Sequence, residues 1–333
     1  MNLGSPESTS VKDVRRYLNE FLMDKRVIDI NYLYRLLLVK GIIVPFRAPK
    51  SAHAYQKIWT SAGSPLIVLT KELQHSLQEH ISEPVEIAMR YGKPSPKEAF
   101  DILVKKLPDL DEVILIPLYP HYAMSSYETA AEYAKEIHQK NNYTFRLTII
   151  KPWYNEPSYI TALAESIMPF LEQQFDHLLF SYHGIPERHI HKSDITGQHC
   201  LKSMDCCHTP SPAHSFCYRH QCITTTELIA GKLGIPKSKY SFSFQSRLGR
   251  DEWLKPYTAE LLETLPAEGI KRLVIVCPAF VSDCLETLEE IAIQGKESFI
   301  KSGGESFTLI PCLNVHPLWI KTLVGYIQKA VSE

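Results

Sequence analysis

The chain has 333 residues, of which 44% are hydrophobic and 22% charged, and its formal net charge is -1. That length exceeds one small core and points to two lobes, and the composition excludes a disordered or fibrous protein. With charge balanced and no basic stripe or interleaved aromatic run, the sequence carries no footprint for nucleic acid.

The start, Met1-Asn2-Leu3-Gly4-Ser5-Pro6, has no charged segment, apolar run or small-residue cleavage site, so no secretory signal is read and a cytoplasmic location is expected. Apolar residues at three and four spacing predict a helix over Val11 to Met23. The apolar stretch Tyr32 to Phe46 is interrupted by Arg35, Lys40 and Pro45. It falls short of the roughly 20 residues that span a bilayer and suits peripheral contact with a membrane surface.

From there short apolar runs alternate with helical patterns. The runs are Val85 to Arg90, Val113 to Leu118, Phe145 to Ile150, Leu178 to Tyr182, Tyr240 to Phe244, Leu273 to Val276 and Phe307 to Ile310. Helices are predicted over Tyr127 to Gln139, Tyr159 to Gln173, Thr224 to Leu233, Thr258 to Leu265 and Leu285 to Ile293. Such alternation reads as α/β with parallel sheets covered by helices on both faces. A lobe beginning at Asn2 has almost no first strand, so its sheet is expected to lack most of one central member.

A weak internal repeat bears on the architecture. Leu3-Gly4-Ser5-Pro6 echoes His183-Gly184-Ile185-Pro186, and Pro120-His121-Tyr122 leads to Glu128-Thr129 as Pro278-Ala279-Phe280 leads to Glu286-Thr287. Coincidence between two strand-to-helix turns is the plain alternative to two similar lobes whose strand ends line a cleft.

His183 follows the run Leu178-Leu179-Phe180-Ser181 and precedes Gly184 and Pro186, which places an imidazole at a strand end. Histidine exchanges protons near neutrality and binds metals in its neutral form, although a histidine closing a strand is often a packing residue. Glu286 opens a helix, with Glu289 and Glu290 on the next turn. Acidic residues there commonly answer the helix dipole. Glu286 and Glu290, four apart, also share one face, where they suit a hard cation or a proton path.

Taken with Phe46-Arg47-Ala48-Pro49-Lys50, Glu86-Ile87-Ala88-Met89-Arg90-Tyr91-Gly92, Leu118-Tyr119-Pro120-His121-Tyr122 and Phe244-Gln245-Ser246-Arg247-Leu248-Gly249, the segments Ser181 to Pro186 and Asp283 to Thr287 resemble the ferrochelatase family, in order, from Asn2 to about Pro317. Several independent motifs in register are far more specific than any one of them. The resemblance implies two similar Rossmann-like lobes with parallel four-stranded sheets and a porphyrin cleft between them. Residues 1–150 would form the first, with an apolar lip over about 30–50 and a C-terminal helix over 315–333 joining it. Residues 151–314 would form the second, with a cysteine-rich insert over 192–222.

It further implies a lyase that inserts Fe2+, its substrate, into a porphyrin as the last step of haem synthesis. His183 and Glu286 would be the facing catalytic pair and metal contacts, with their division of roles open. Asp283 and Glu290 would carry protons or metal, and Arg90, Tyr122 and Ser125 would lie near the porphyrin rim or its propionates. Coproporphyrin-specific members tend to carry tyrosine at the position of Leu3, so protoporphyrin IX is the expected substrate and coproporphyrin III the alternative. Many members have histidine where this chain has Cys284.

Five of the eight cysteines fall in one segment, spaced C-x5-C-C-x9-C-x4-C. Some ferrochelatases carry a 2Fe-2S cluster, and four thiolates are the expected ligand set. Adjacent Cys206 and Cys207 can hardly both serve one iron, so the set Cys200, Cys207, Cys217 and Cys222 is chosen, with Cys206 as substitute. A structural zinc competes, since His199, His208, His214 and His220 share the stretch; unliganded thiols are the third possibility. Among rival functions, a haem- or metal-binding protein would bind without turnover, and a chelatase for another metal or tetrapyrrole is not separable by spacing.

Overall fold

The computed structural model describes residues 1–247, 249 and 251–332; Leu248 of the Phe244 to Gly249 motif lies outside the described residues, as does Glu333. By contacts the chain divides into two compact units, the first formed by Met1–Leu118, Met124–Lys151 and the chain from Leu323, the second by Tyr119–Ala123 and Pro152–Thr322.

In the first unit, the helix Val11–Leu22 starts where Ser10 accepts a hydrogen bond from the Asp13 N–H, and it buries Val14, Tyr17, Leu18 and Leu22. The helix Pro96–Lys106 opens on a full capping box between Ser95 and Glu98. Strands β1 (Glu112–Leu115) and β2 (Arg146–Ile149) pair in parallel as a two-stranded sheet. The four-stranded sheet expected here is not regular. Its first member is only Met1 to Leu3, which exchanges hydrogen bonds with Ala88, Arg90 and Tyr91 on one side and with Ile116 and Leu118 on the other. Three residues are too few for a ladder, so the segment Val85 to Arg90 contributes a single bridge, Asn2 to Met89, rather than a strand.

The second unit holds β3 (His177–His183), β4 (Tyr240–Gln245), β5 (Arg272–Val276) and β6 (Ser306–Leu309) in the order β4-β3-β5-β6, all parallel. Every residue of β3 but His183 is buried, as a central strand covered on both faces requires. One face packs Leu179, Leu273 and Ile275 against Leu262, Ile291 and Phe299. Trp153 is wedged between Tyr159 and Trp319, with ring centroids 4.7 and 5.0 Å away.

The repeat read from sequence has structural counterparts. Gly4 approaches the Tyr91 carbonyl so closely that a Cβ would lie 1.8 Å from its oxygen, and at Gly184 the Gln245 carbonyl would lie 2.8 Å away. Thr129 donates to Asp24 in the first unit as Thr287 donates to Asp283 in the second. Unforeseen in the sequence, among the described residues, are three stretches wound as π-helix, Leu37–Ile43, Met124–Glu128 and Glu286–Gly295. Each adjoins an α-helix in a segment singled out above, and such windings are frequent at functional sites.

Candidate active site

His183 ends β3 opposite Gln245 of β4, and the neighbouring β5 runs out through Cys277 to Cys284 into the π-helix that begins at Glu286. Parallel adjacency therefore brings His183 and Glu286 to the same C-terminal edge of one sheet, the edge at which open α/β sheets bind ligands. The His183 Nδ1 lies 2.6 Å from the Gly184 carbonyl oxygen. A carbonyl only accepts, so Nδ1 carries a proton, and in the neutral ring the lone pair is on Nε2. The ring meets Phe280 edge to face at 6.3 Å.

Glu286 and Glu290 are half-buried on one side of the π-helix, whereas Glu289 is buried and accepts from the Gln294 amide at both oxygens, at 2.9 and 2.8 Å. Burial raises the Glu290 carboxyl above its ordinary range and the nearby Glu286 charge adds to this, while a Ser246 hydrogen bond and His183 pull it down. Burial pushes the Cys284 thiol well up, and the Glu286 charge adds to this.

Asp283 is buried and fully engaged. It accepts from Thr287 at 2.9 Å, from the Asn314 amide at 2.7 Å and from the Cys312 N–H at 3.3 Å, and its own N–H donates to Asn314 at 2.9 Å. Asn314 takes the left-handed backbone (φ 45°) that asparagine tolerates. Two units of hydrogen bonding thus fix the turn that launches Glu286.

Arg90 donates to Thr129 at 2.7 Å and to Asp24, and its guanidinium lies 4.3 Å from the ring centres of both Tyr91 and Tyr133. Asp24 also accepts from Thr129 and from Tyr91. Tyr122 donates its N–H to the Gln221 side chain at 2.7 Å and packs edge-on to Phe216. Ser125 lies half-buried in the π-helical turn Met124–Glu128.

The family model described as Ferrochelatase matches residues 1–331. Relatives named Ferrochelatase from Ectopseudomonas mendocina and Pseudomonas entomophila are each 50% identical over 99% of this chain, covering 96% and 98% of their own lengths. The chain belongs to the ferrochelatase family. Ferrochelatases are lyases that insert a metal into a porphyrin, which makes this chain an enzyme of haem synthesis. A solved structure of SirB from Bacillus subtilis with Fe3+ has a TM-score of 0.51 over 79% of this chain and 88% of its own, at 15% identity, a likeness of fold.

Within this ferrochelatase fold the cysteine-rich segment forms a loop between the helices Glu187–Ser193 and Tyr218–Lys232. Asp194 anchors its start by accepting from the N–H groups of Thr196, His199 and Cys200. All five cysteines are buried and none forms a disulfide. Arg219 donates to the Cys207 sulfur at 3.1 Å and approaches that of Cys206 at 3.9 Å. Cys222 lies fully buried in the helix Tyr218–Lys232.

The histidines serve the backbone of this loop. His199 and His214 both direct Nε2 at the Cys206 carbonyl, at 2.7 and 3.0 Å, and His220 directs Nδ1 at the Cys207 carbonyl at 2.6 Å. His208 is exposed between Asp205 and Glu227. Among the described residues no three His, Cys, Asp or Glu side chains converge as they do around a bare metal ion.

Proposed function

We propose that this chain inserts Fe2+ into protoporphyrin IX to give haem b, with His183 and Glu286 acting on the metal and on the pyrrole protons. The observation that carries the reading is the placement of His183: its Nδ1 is committed to the Gly184 carbonyl, which leaves Nε2 as the ring atom to act at the sheet edge that Glu286 shares. Insertion requires two pyrrole protons to leave while a hydrated cation sheds water. A neutral imidazole takes a proton near neutrality, and a carboxylate attracts the cation. Glu290, raised by burial, is suited to receive a proton and pass it on. Asp283 supports that path by holding the turn before Glu286 rather than by moving protons itself.

Tyr122 and Ser125 are the rim residues in this reading. Arg90 has its charge answered by Asp24 and its guanidinium against Tyr91 and Tyr133, which gives it a structural role in this reading. Leu3, where coproporphyrin-specific members tend to have tyrosine, supports protoporphyrin IX. The lip supports contact with a membrane surface: Leu33, Leu37 and Phe46 are 66, 70 and 74% exposed. Among the described residues no helix is long and apolar enough to cross a membrane.

A 2Fe-2S cluster is the cofactor this reading assigns to the cysteine loop, and the donor set fits it. The loop's thiols are all buried and Arg219 donates to the sulfurs of Cys207 and Cys206, a counter-charge for a negatively charged cluster, while His199, His214 and His220 each commit one ring nitrogen to a backbone carbonyl. Cys200, Cys206, Cys207 and Cys217 would be its ligands, with Cys206 in place of Cys222. A bound cluster would cross-link the loop.

The reading is tested by anaerobic iron insertion with protoporphyrin IX and coproporphyrin III in parallel. Haem b at the faster rate is expected; no turnover with either porphyrin contradicts it.

A further inference from the structure

The end of β4 carries a polar side chain that the chemistry above does not use. Gln245 is 3% exposed and pairs in register with His183, and its carbonyl accepts the Gly184 N–H at 2.8 Å. Its side chain reaches the other half of the site, with Nε2 3.3 Å from the Glu286 carbonyl oxygen. One residue therefore touches the backbone on either side of the proposed catalytic pair.

The amide's orientation is not arbitrary. Ser181 donates to Gln245 Oε1 at 2.7 Å, Ser181 and Thr258 hydroxyls lie 3.0 Å apart, and Thr258 and Ser243 hydroxyls 2.8 Å apart. All three hydroxyl residues are buried, two on the strands and Thr258 at the start of a helix, and buried polar side chains are costly unless each is paired. The Cys277 thiol adds a weak donor to the same oxygen at 3.8 Å. With Oε1 taken up by donors, the amide NH2 must face the Glu286 carbonyl. That carbonyl belongs to the first residue of a π-helix, in which a widened turn loosens the usual i to i+4 pairing.

We infer that Gln245 is a positioning residue that sets Glu286 at its working separation from His183. This rests on the assignment of His183 and Glu286 as the acting pair. Ser181, Thr258 and Ser243 serve it by fixing the direction of the amide.

The test compares Gln245→Leu and Gln245→Glu in anaerobic iron insertion, reading kcat, porphyrin KM and the pH profile. Leucine fills the volume but cannot donate, so kcat falls about tenfold or more at every pH, while KM stays within about twofold. A buried glutamic acid keeps an O–H for the Glu286 carbonyl only while protonated. Gln245→Glu therefore retains most activity on the acid side of the profile and loses it as pH rises, a limb absent from the parent and from Gln245→Leu. Unchanged kinetics in Gln245→Leu, or equal losses in both variants at every pH, overturn the inference.

Should Gln245→Leu melt far below the parent, Ser181→Ala replaces it. That variant leaves the amide present but undirected, and a fall in kcat without a rise in KM is expected; parental kinetics overturn the inference. His183→Ala and Glu286→Gln run alongside. If both are near-normal, the pair itself is misassigned; if both are inactive and the position-245 variants are not, only the role of Gln245 is lost.

Discussion

The Ser246 hydroxyl donates to Glu290 Oε2 at 2.6 Å from a backbone with φ of 67°, the left-handed region that a serine adopts only when its surroundings require it. The strained residue directly follows β4 and holds a carboxyl that burial pushes up. Removing the hydroxyl takes away a bond to the ionised form, so Ser246→Ala raises the Glu290 pKa further. If ionised Glu290 receives a proton during insertion, the acid limb of the kcat profile moves to higher pH in this variant. Superimposable profiles would show that the bond does not serve turnover.

Arg90 and Asp24 form a pair buried to 12 and 4% side-chain exposure. Breaking such a pair from one side leaves a charge without a partner, so Asp24→Asn should cost about 3 kcal/mol of stability or more, measured by denaturant unfolding. Burial pushes the Asp24 carboxyl up, but bonds from Thr129 and Arg26 and the charge of Arg90 outweigh it and hold it below the usual range. The folded value is thus lower than the unfolded one, and this stability is present above the unfolded pKa of about 3.9 and lost as pH falls through the folded value. An Arg90→Ala variant that loses porphyrin affinity while keeping its melting temperature would restore a propionate role.

The cysteine loop separates its candidate ligands by spectrum. Purified anaerobically, the protein should show the visible absorption of a 2Fe-2S cluster with two irons per chain, on the order expected for four thiolates. Cys206→Ser should lose that absorption and Cys222→Ser should keep it. The reverse pattern returns Cys222 to the ligand set, and a colourless protein holding one zinc removes the cluster.

The exposed lip gives a binding prediction. Replacing Leu33, Leu37 and Phe46 together by serine should reduce sedimentation with liposomes at least severalfold, because the apolar area offered to the interface is what drives such binding. Iron insertion with detergent-dispersed porphyrin should change less. Equal sedimentation of variant and parent would assign the patch to porphyrin alone.

Much of this was legible in the sequence because burial leaves a plain imprint. β3 to β6 read as apolar runs since both faces are covered, and His183 and Glu286 stood out at the points where such runs end. Other features were hidden. Val85 to Arg90 has the composition of a strand but meets only the short segment at Met1 to Leu3, and pairing depends on the partner's length as much as on propensity. The π-helical windings follow from tertiary packing rather than local periodicity, so Leu285 to Ile293 read as ordinary helix. The partners of Arg90 and Asp283, which are Asp24 and Asn314, lie 66 and 31 positions away. Gln245 and Ser246 stood in a quoted motif, yet only the fold shows that one reaches the Glu286 carbonyl and the other Glu290.

The measurement that bears most directly on the central claim is anaerobic iron insertion into protoporphyrin IX by the parent, His183→Ala and Glu286→Gln, with porphyrin binding followed separately by fluorescence. Loss of a proton acceptor or metal contact lowers kcat about 100-fold or more in each variant while binding is kept. Near-parental insertion by either variant, from folded protein, would contradict the assignment of His183 and Glu286 as the pair that carries the reaction.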